Sequence, residues 1–295
     1  MQHLVPATPL KAGDAVATVA ASSALPDPER LHQGLALLQS WGLNCREPDV
    51  VGRHWGYLAG TDQQRRDDLL AAASALLLAC ARGGWGAARL LEEELVWHPG
   101  WLLGFSDVTA LLWSRLAAGY DGGIHGPLLT TLAAEPTWSQ ERLRQLLFGE
   151  PVGDLTGVGL GGGQATGPLI VANLTVATHL LGSSHVPDLN GALLILEDVG
   201  EAPYRIDRML THWRLCGALQ GLAGLGFGQF EACNDDERPE DWCFSLEQVL
   251  KERTEDLGIP RVMDLPIGHC PGNAALPMGR RALLDADNGR LSLLP

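Results

Sequence analysis

Blocks of apolar and polar positions alternate along residues 1–130 of the chain. The run Asp14–Ser22 is short, apolar and tolerant of β-structure, so it predicts a buried first strand. Asp27 is a residue type that caps helices, and Pro28 suits the first helical turn. The leucines that follow recur on one helical face: Leu31, Leu35 and Leu38. The pattern therefore predicts a strand followed by an amphipathic helix.

The same alternation continues to residue 116. Apolar runs at Ala75–Ala81 and Trp101–Phe105 predict two further strands. The segments between and after them favour helices: 62–73, 87–95 and 108–116. Strands that alternate with helices at this spacing are typical of a parallel sheet covered on both faces. The pattern therefore predicts an α/β domain, which we place at residues 1–148.

A change of composition marks the middle of the chain. Residues 149–167 are rich in glycine, which predicts a linker before a second domain at residues 168–295. Beyond the linker the predicted elements are helices at 174–181 and 204–219, a helix from the capping box at Ser245, strands at 192–196 and 222–230, and a hairpin at 281–294 that turns at 287–289. This second domain is therefore also α/β.

The glycine run contains the spacing G-x-G-x-x-G at Gly157, Gly159 and Gly162. A dinucleotide site needs that spacing directly after a buried strand, with an acidic residue about 20 positions further on. Here the preceding segment is turn-like, and Asp188 is displaced from the required place. We therefore interpret the run as a flexible connection and expect no cofactor.

Composition and charge exclude several partners. The net charge is −14 and no basic surface is evident, so nucleic acid is not expected. The longest nearly unbroken apolar run, Leu69–Ala81, is too short to span a bilayer, so no membrane partner is expected. The 6 cysteines and 9 histidines show no paired metal-site spacing. We therefore expect reduced thiols, a cytoplasmic location and no metal.

A candidate nucleophile lies where a predicted strand meets a predicted helix, in Gly104-Phe105-Ser106-Asp107. A serine at such a sharp turn is exposed at the sheet edge, and the free N–H groups of the helix N-terminus can stabilise an oxyanion. The pattern differs from G-x-S-x-G because Val108 replaces the second glycine. The alternative interpretation is that Ser106 only caps the helix.

A nucleophilic serine needs a base and a carboxylate that orients the base. His125 and His269, both beside glycines, are the candidate bases. Glu197 is the candidate carboxylate because it ends the apolar run Leu193–Leu196, where a charge needs a partner or a function. A structural acid at a strand end is the alternative interpretation. The spacing alone does not select a triad.

Together these segments resemble the LD-carboxypeptidase family of serine peptidases, which includes muramoyltetrapeptide carboxypeptidases and microcin C immunity peptidases. The matching segments span nearly the whole chain: Arg82–Leu91, Gly104–Ala110, His125–Pro127, Leu196–Glu201, Tyr204–Leu210, Leu265–His269 and Leu276–Gly279. The resemblance implies an open parallel-sheet (flavodoxin-like) N-terminal domain that carries the nucleophile. It also implies a smaller C-terminal α/β domain that carries the other triad residues, and a homodimer.

The resemblance also implies roles for the site residues. Ser106 would attack the peptide carbonyl, His269 would carry the proton and Glu197 would orient His269. The candidate oxyanion donors are the N–H groups of Asp107 and Gly84, with that of the preceding glycine as the alternative to Gly84.

The implied activity is the release of terminal D-alanine from a murein tetrapeptide during cell-wall recycling. Because an exopeptidase must recognise a free carboxylate, Arg82 and Arg205 are the candidate substrate-binding residues. Two alternatives stay open: hydrolysis of a microcin-like aminoacyl-nucleotide amide, and a non-catalytic module that binds muropeptides.

Two positions depart from the family pattern. Val171-Ala172 stand where relatives usually carry two glycines, which would narrow the cleft or reshape the hinge between domains. Trp85 stands in place of the commoner tyrosine and lacks its hydroxyl. Neither position touches the implied triad, and both bear on substrate preference.

Overall fold

A computed structural model describes residues 4–46, 49–235, 239 and 242–295. The chain forms two compact units. Unit 1 contains the residues up to Val152 together with Pro271–Gly279, and unit 2 contains Gly153–Cys270 together with the residues from Arg280 onward. Each unit has one sheet with helices, so the chain is α/β as predicted.

The helices and strands of the described residues follow the chain in regular alternation through unit 1 and less regularly after it. The strands are β1 (Ala15–Val19), β2 (Asn44–Cys45), β3 (Leu77–Cys80), β4 (Trp101–Gly104), β5 (Gly123–His125), β6 (Leu155–Thr156), β7 (Val158–Leu160), β8 (Gln164–Asn173), β9 (Leu193–Val199), β10 (Gly224–Glu231), β11 (Arg261–Met263), β12 (Leu276–Pro277), β13 (Arg281–Asp285) and β14 (Arg290–Leu293). The α-helices are α1 (Pro28–Ser40), α2 (Asp62–Leu70), α3 (Thr109–Ala117), α4 (Leu129–Leu132), α5 (Thr137–Phe148), α6 (Leu174–Leu180), α7 (Pro203–Leu215) and α8 (Leu246–Glu252). Short 3₁₀ turns cover Ala71–Ala73, Ala87–Glu92, Ser106–Val108 and Glu255–Leu257.

Unit 1 is built on a parallel sheet. Its strand order is β2-β1-β3-β4-β5, with β12 added antiparallel to β5. This is the flavodoxin-like order, which confirms the predicted fold of the N-terminal part. Asp27 caps α1 by accepting the Glu29 N–H at 2.9 Å, and the leucines of α1 join the buried core beside β1 and β3. The strands are buried on both faces, which explains their continuous apolar runs.

Unit 2, the smaller one, has a mixed sheet. Strands β8 to β11 are parallel neighbours, whereas β13, β14 and β6 extend the sheet antiparallel from β8, and β7 pairs antiparallel with β11. The apolar centre of β9, Leu193–Leu196, is fully buried between β8 and β10. The sequence thus buries the strand that carries Glu197.

The interval predicted as a linker, residues 149–167, contains β6, β7 and the start of β8. Strands β6 and β7 stand at opposite ends of the strand order, yet only Gly157 separates them, so the sheet of unit 2 curls until its ends meet. A side chain at Gly157 or Gly159 would overlap the carbonyl oxygen of Met263 or Ala286. These glycines therefore permit close backbone packing, which single-sequence composition cannot distinguish from flexibility.

The other differences from prediction are local. The helix predicted at 87–95 is a 3₁₀ turn, Ala87–Glu92, and Pro271–Gly279 returns to unit 1, where β12 pairs with β5. The predicted capping box at Ser245 and the terminal hairpin are both confirmed. No helix in the described part of the chain has the length and apolar character needed to cross a membrane. All six cysteines are described, and none forms a disulfide.

Candidate active site

Ser106 lies at the turn that joins β4 to the helical segment before α3. Its φ is +63°, a left-handed conformation that it shares with two other non-glycine residues of the described chain, Ala232 and Asp264. Such backbone costs of order 1–3 kcal/mol and persists where the surrounding structure enforces it. The turn is as sharp as the sequence predicts for a nucleophile elbow.

Two glycines let the backbone close around this turn. A Cβ on Gly104 would lie 2.8 Å from Val108 Cγ1, so only glycine lets the end of β4 meet the following helical turn. A Cβ on Gly83 would lie 3.0 Å from Ser106 Oγ. The hydroxyl of Ser106 therefore faces the backbone of the glycine turn at 82–86, within unit 1.

The side chain of Asp107 ties these two turns together. It is 2% exposed, and its Oδ2 accepts the Ala87 N–H at 2.8 Å. Burial raises the pKa of the Asp107 carboxyl, while the backbone hydrogen bonds and the charge of Arg65 favour its ionised form. Arg65 is fully buried and donates to Ala21 O, to Gly86 O at 2.8 Å, and to Asp62. A buried charge network thus fixes both turns.

The predicted oxyanion donors lie on these turns. The Asp107 N–H follows Ser106 directly, and Gly84 has φ of +110°, with its backbone packed against Ser23. The neighbouring Trp85 N–H donates to Ser23 Oγ at 3.1 Å, and the Trp85 side chain is 51% exposed. Arg82 donates through Nη1 to Ala24 O at 2.7 Å.

Unit 2 brings Glu197 and His269 into contact. Glu197 lies on β9 and is fully buried, and its Oε2 is 2.8 Å from His269 Nδ1. An ionised carboxylate only accepts hydrogen bonds, so Nδ1–H is the donor and Nε2 is the nitrogen able to take a proton. The His269 side chain is 21% exposed. The pair therefore has the geometry of an oriented general base.

The loop that carries His269 is fastened to β10. The Gln229 N–H donates to Ile267 O at 2.8 Å, and the Leu265 N–H donates to Phe227 O at 3.1 Å. Gly268 has φ of +115°, and a Cβ there would lie 2.7 Å from Glu197 Oε2. Glycine at this position lets the histidine approach the acid so closely. The glycine before His269, which helped to mark this histidine as a candidate base, is the sequence signal for this requirement.

The structure also distinguishes the two candidate histidines. His125 ends β5, is fully buried, and meets the Phe105 ring edge to face with ring centroids 5.7 Å apart. It belongs to unit 1, whereas Glu197 and His269 belong to unit 2. Of the two candidate bases, His269 is therefore the one that contacts Glu197 within a single unit.

The carboxylate next to Glu197 has a separate role. Asp198 is 2% exposed and accepts from Asn173 Nδ2 at 3.0 Å and from both the N–H and the hydroxyl of Thr175 at 2.8 Å. Burial raises the pKa of the Asp198 carboxyl, and these donors favour its ionised form. Asn173, which donates to Asp198, directly follows Val171-Ala172, the two residues that depart from the family pattern. Both of these residues are fully buried in β8. Sequence reasoning missed Asp198, which joins the end of β9 to the start of α6.

Arg205, the second predicted substrate arginine, lies in the first turn of α7. It contacts Glu201 Oε2 at 3.4 Å and Tyr204 Oη at 3.2 Å, and these partners raise its pKa. Both it and Arg82 thus already bind groups of their own unit.

Comparison with known proteins identifies the family. Residues 16–126 match the LD-carboxypeptidase N-terminal domain, and residues 166–284 match the LD-carboxypeptidase C-terminal domain. A putative carboxypeptidase of Synechocystis sp. is 47% identical over 97% of this chain and 96% of that protein. The murein tetrapeptide carboxypeptidase of Pseudomonas aeruginosa is 33% identical over 93% of this chain and 94% of that protein. The chain belongs to the LD-carboxypeptidase family, as its motifs indicate, and is a peptidase of that family.

Solved structures agree on the fold. A muramoyltetrapeptide carboxypeptidase from Oxalobacter formigenes matches with a TM-score of 0.82 at 26% identity, over 95% of this chain and 97% of that one. A structure of MccF in complex with glutamyl sulfamoyl guanosine matches with a TM-score of 0.84 at 21% identity, over 98% of each chain. The second likeness bears on the fold alone.

Proposed function

We propose that this protein is a serine LD-carboxypeptidase that hydrolyses the bond between an L-configured centre and a terminal D-alanine in murein tetrapeptide. The observation that carries the proposal is the 2.8 Å contact between His269 Nδ1 and the buried Glu197. A buried carboxylate that fixes a histidine tautomer is the arrangement that general-base catalysis by Nε2 requires. The family of murein peptide carboxypeptidases supplies the substrate class.

The proposed chemistry begins with the Ser106 hydroxyl. Ser106 Oγ forms a bond to the scissile carbonyl carbon while His269 Nε2 takes its proton, and the backbone N–H groups of Asp107 and Gly84 stabilise the oxyanion. Collapse of this intermediate breaks the C–N bond, and His269 returns the proton to the leaving amine of D-alanine. Water then attacks the acyl-enzyme, again through His269, and restores Ser106.

Recognition of the terminal carboxylate is assigned in this proposal to Arg82 or Arg205. A guanidinium binds a carboxylate through two parallel N–H donors. Arg82 lies on the glycine turn that faces Ser106, and Arg205 follows the strand that carries Glu197. Each uses part of its donor set within its own unit, so the substrate would share or displace those bonds.

The proposal is tested by Ser106→Ala. We expect D-alanine release from murein tetrapeptide to fall by about 10⁴-fold or more, because the covalent route is lost. Ser40→Ala is the matched control, since Ser40 is an exposed residue of unit 1 whose hydroxyl donates to Leu37 O. A serine-directed phosphonate should label the wild-type protein at Ser106 and leave Ser106→Ala unlabelled. Turnover retained by a folded Ser106→Ala protein would refute the assignment.

A second candidate is hydrolysis of an aminoacyl-nucleotide amide, which the half-exposed Trp85 favours. Its indole lies on the turn that faces Ser106, and an exposed aromatic face of this kind stacks on nucleobases. Steady-state kcat/KM for murein tetrapeptide and for an aminoacyl sulfamoyl adenosine, measured side by side, separates the candidates. Trp85→Ala should reduce kcat/KM for the nucleotide substrate only, if that substrate is the true one.

From the proposed substrate we also propose a cytoplasmic location. Tetrapeptide recovered from the wall is trimmed in the cytoplasm, where a chain with reduced cysteines is stable. We also expect a homodimer, which sedimentation equilibrium of the purified protein would detect.

A further inference from the structure

Unit 2 carries a groove to which the proposed chemistry assigns one residue, Arg205, as one of the two candidate ligands of the terminal carboxylate. It lies between α6 and α7 and has a volume of about 630 Å³. Its lining includes two arginines and two histidines beside one glutamate: Thr175, Thr178, His179, Glu201, Tyr204, Arg205, Arg208, Met209 and His212. The groove begins just beyond β9, the strand that carries Glu197.

The two arginines of the groove differ in whether a carboxylate already pairs with them. Arg205 is engaged by Glu201 at 3.4 Å. Arg208 lies with its guanidinium carbon 5.9 Å from the centre of the Tyr204 ring, and in the described stretches of the chain no carboxylate forms an ion pair with it. Stacking on an aromatic ring restricts a guanidinium without using its N–H donors. Arg208 is therefore oriented yet retains donors for a ligand.

The remaining walls keep the groove in shape. The His179 ring is fixed by contact of its Nδ1 with Thr175 O at 2.7 Å, and Thr178 Oγ1 accepts the Trp213 indole N–H at 2.8 Å. Thr175 is itself held by Asp198. Among the described residues that line the groove, Glu201 is the acidic side chain, and Arg205 offsets its charge. In a chain with a net charge of −14, this groove is a local basic site.

We propose that the groove between α6 and α7 binds a carboxylate of an acidic peptide substrate other than its terminal carboxylate, with Arg208 as the principal ligand. The inference rests on the proposed function and extends it to substrate selection. A murein tetrapeptide carries several carboxylates, so the overall negative charge of the chain opposes its approach. A basic groove with a stacked arginine offsets that repulsion locally.

The test measures binding to Ser106→Ala protein by calorimetry, so that turnover does not interfere. Two probes are compared: murein tetrapeptide, and the same peptide with an internal carboxylate converted to a carboxamide. Adding Arg208→Gln should raise the Kd of the tetrapeptide by about 10-fold or more, and should change the Kd of the carboxamide peptide far less. Arg214→Gln is the matched control, because Arg214 lies on the same helix but pairs with Asp256 outside the groove.

Each other outcome overturns the inference. Equal Kd values with and without Arg208→Gln, or equal losses for both peptides, would show that Arg208 does not read the carboxylate. Arg208-dependent binding of adenosine monophosphate in place of the tetrapeptide would assign the groove to a phosphate. A changed sedimentation coefficient with unchanged peptide affinity would assign it to self-association. Failure of the proposed function is read separately, as D-alanine release by the Ser106→Ala protein or as no tetrapeptide binding to it.

Discussion

The serine turn of unit 1 and the Glu197–His269 pair of unit 2 hold their reactive groups by different means. At the serine turn the backbone does the work: Ser106 has φ of +63°, and Gly83 and Gly104 permit approaches that any side chain would obstruct. In the pair, one hydrogen bond between two side chains orients the base. The first arrangement is sensitive to added volume, and the second is sensitive to the chemistry of a single atom.

The two regions also differ in how they accommodate a buried carboxylate. Asp107 of unit 1 is stabilised by the Ala87 N–H and by the nearby charge of Arg65. Glu197 of unit 2 is fully buried and forms a hydrogen bond with the partly buried His269. A buried charge must be matched by partners. Asp107 therefore has a structural role at its turn, whereas Glu197 has its partner in a side chain that can change its charge during a reaction.

After Ser106→Ala, the largest effect should come from Glu197→Gln. Glutamine keeps the size of the side chain but can donate to His269 Nδ1, which stabilises the wrong tautomer of the base. By analogy with the serine-protease triad, we expect kcat for D-alanine release to fall by about 10³- to 10⁴-fold while KM changes little. Steady-state kinetics and a thermal melt measure the two consequences.

The control for this change is Glu231→Gln, at the exposed end of the neighbouring strand β10. It removes the same charge from the same sheet and should leave kcat unchanged. If both variants lost activity alike, net charge and not the orientation of His269 would explain the loss, and the contrast between the two regions would disappear.

Gly83→Ala should give a smaller but clear effect. The added methyl would lie 3.0 Å from both Cβ and Oγ of Ser106, so the hydroxyl must move by a few tenths of an ångström. Gly83 does not have positive φ, so the backbone itself accepts alanine. Because small misplacements of a reacting group are costly, we expect kcat to fall by about 10- to 100-fold with little loss of stability. The decrease would be read from initial rates of D-alanine release.

Gly153→Ala is the matched variant for this experiment. It also lacks positive φ, and its new methyl would meet no atom within 4 Å. It should leave both activity and stability near the wild-type values. Full activity of Gly83→Ala would mean that the serine turn accommodates the added methyl group without harm. The claim that backbone contact positions Ser106 would then fail.

The sequence predicts features that short segments determine. Asp27 and the capping box at Ser245 mark helix starts because each bonds to N–H groups within three residues of itself. The turn at 287–289 and the sharp turn at Ser106 are likewise local. Long-range contacts escaped prediction: Gly159 packs on Ala286, and the backbone after Cys270 returns to pair with β5. Nothing near either segment in the sequence signals its distant partner. The pairing of His269 with Glu197 came from family resemblance, since spacing left His125 equally eligible.

The smallest predicted effect concerns Glu135, just before α5, and Arg142 in α5, which together hold the segment that follows Cys270. Glu135 accepts the N–H groups of Gly272 at 2.8 Å and Asn273 at 3.1 Å, and Arg142 Nε donates to Ala275 O at 2.9 Å. Burial raises the pKa of the Glu135 carboxyl above its ordinary value of 4.5, despite these donors. In this region side chains bond to the backbone of the returning segment, whereas backbone packing positions Ser106 and a bond between two side chains orients His269.

The raised pKa has a definite consequence for stability. Between the ordinary and the raised pKa the native state binds the proton more tightly than the unfolded state, so the stability contribution of Glu135 falls as pH rises through that window. Glu135→Gln removes the titration, and the wild type should therefore lose stability relative to this variant from about pH 4.5 upward.

Glu141, in α5, has its pKa lowered by a hydrogen bond from Arg144, so its contribution to stability falls as pH drops. Relative to Glu141→Gln, the wild type should gain stability as pH rises, by less than about 1 kcal/mol because the pair is exposed. Urea midpoints of the three proteins from about pH 3 to 7 should thus diverge in opposite directions, with the Glu141 effect mainly below about pH 4.5 and the Glu135 effect above it. Parallel curves would remove Glu135 as the clamp of the returning segment.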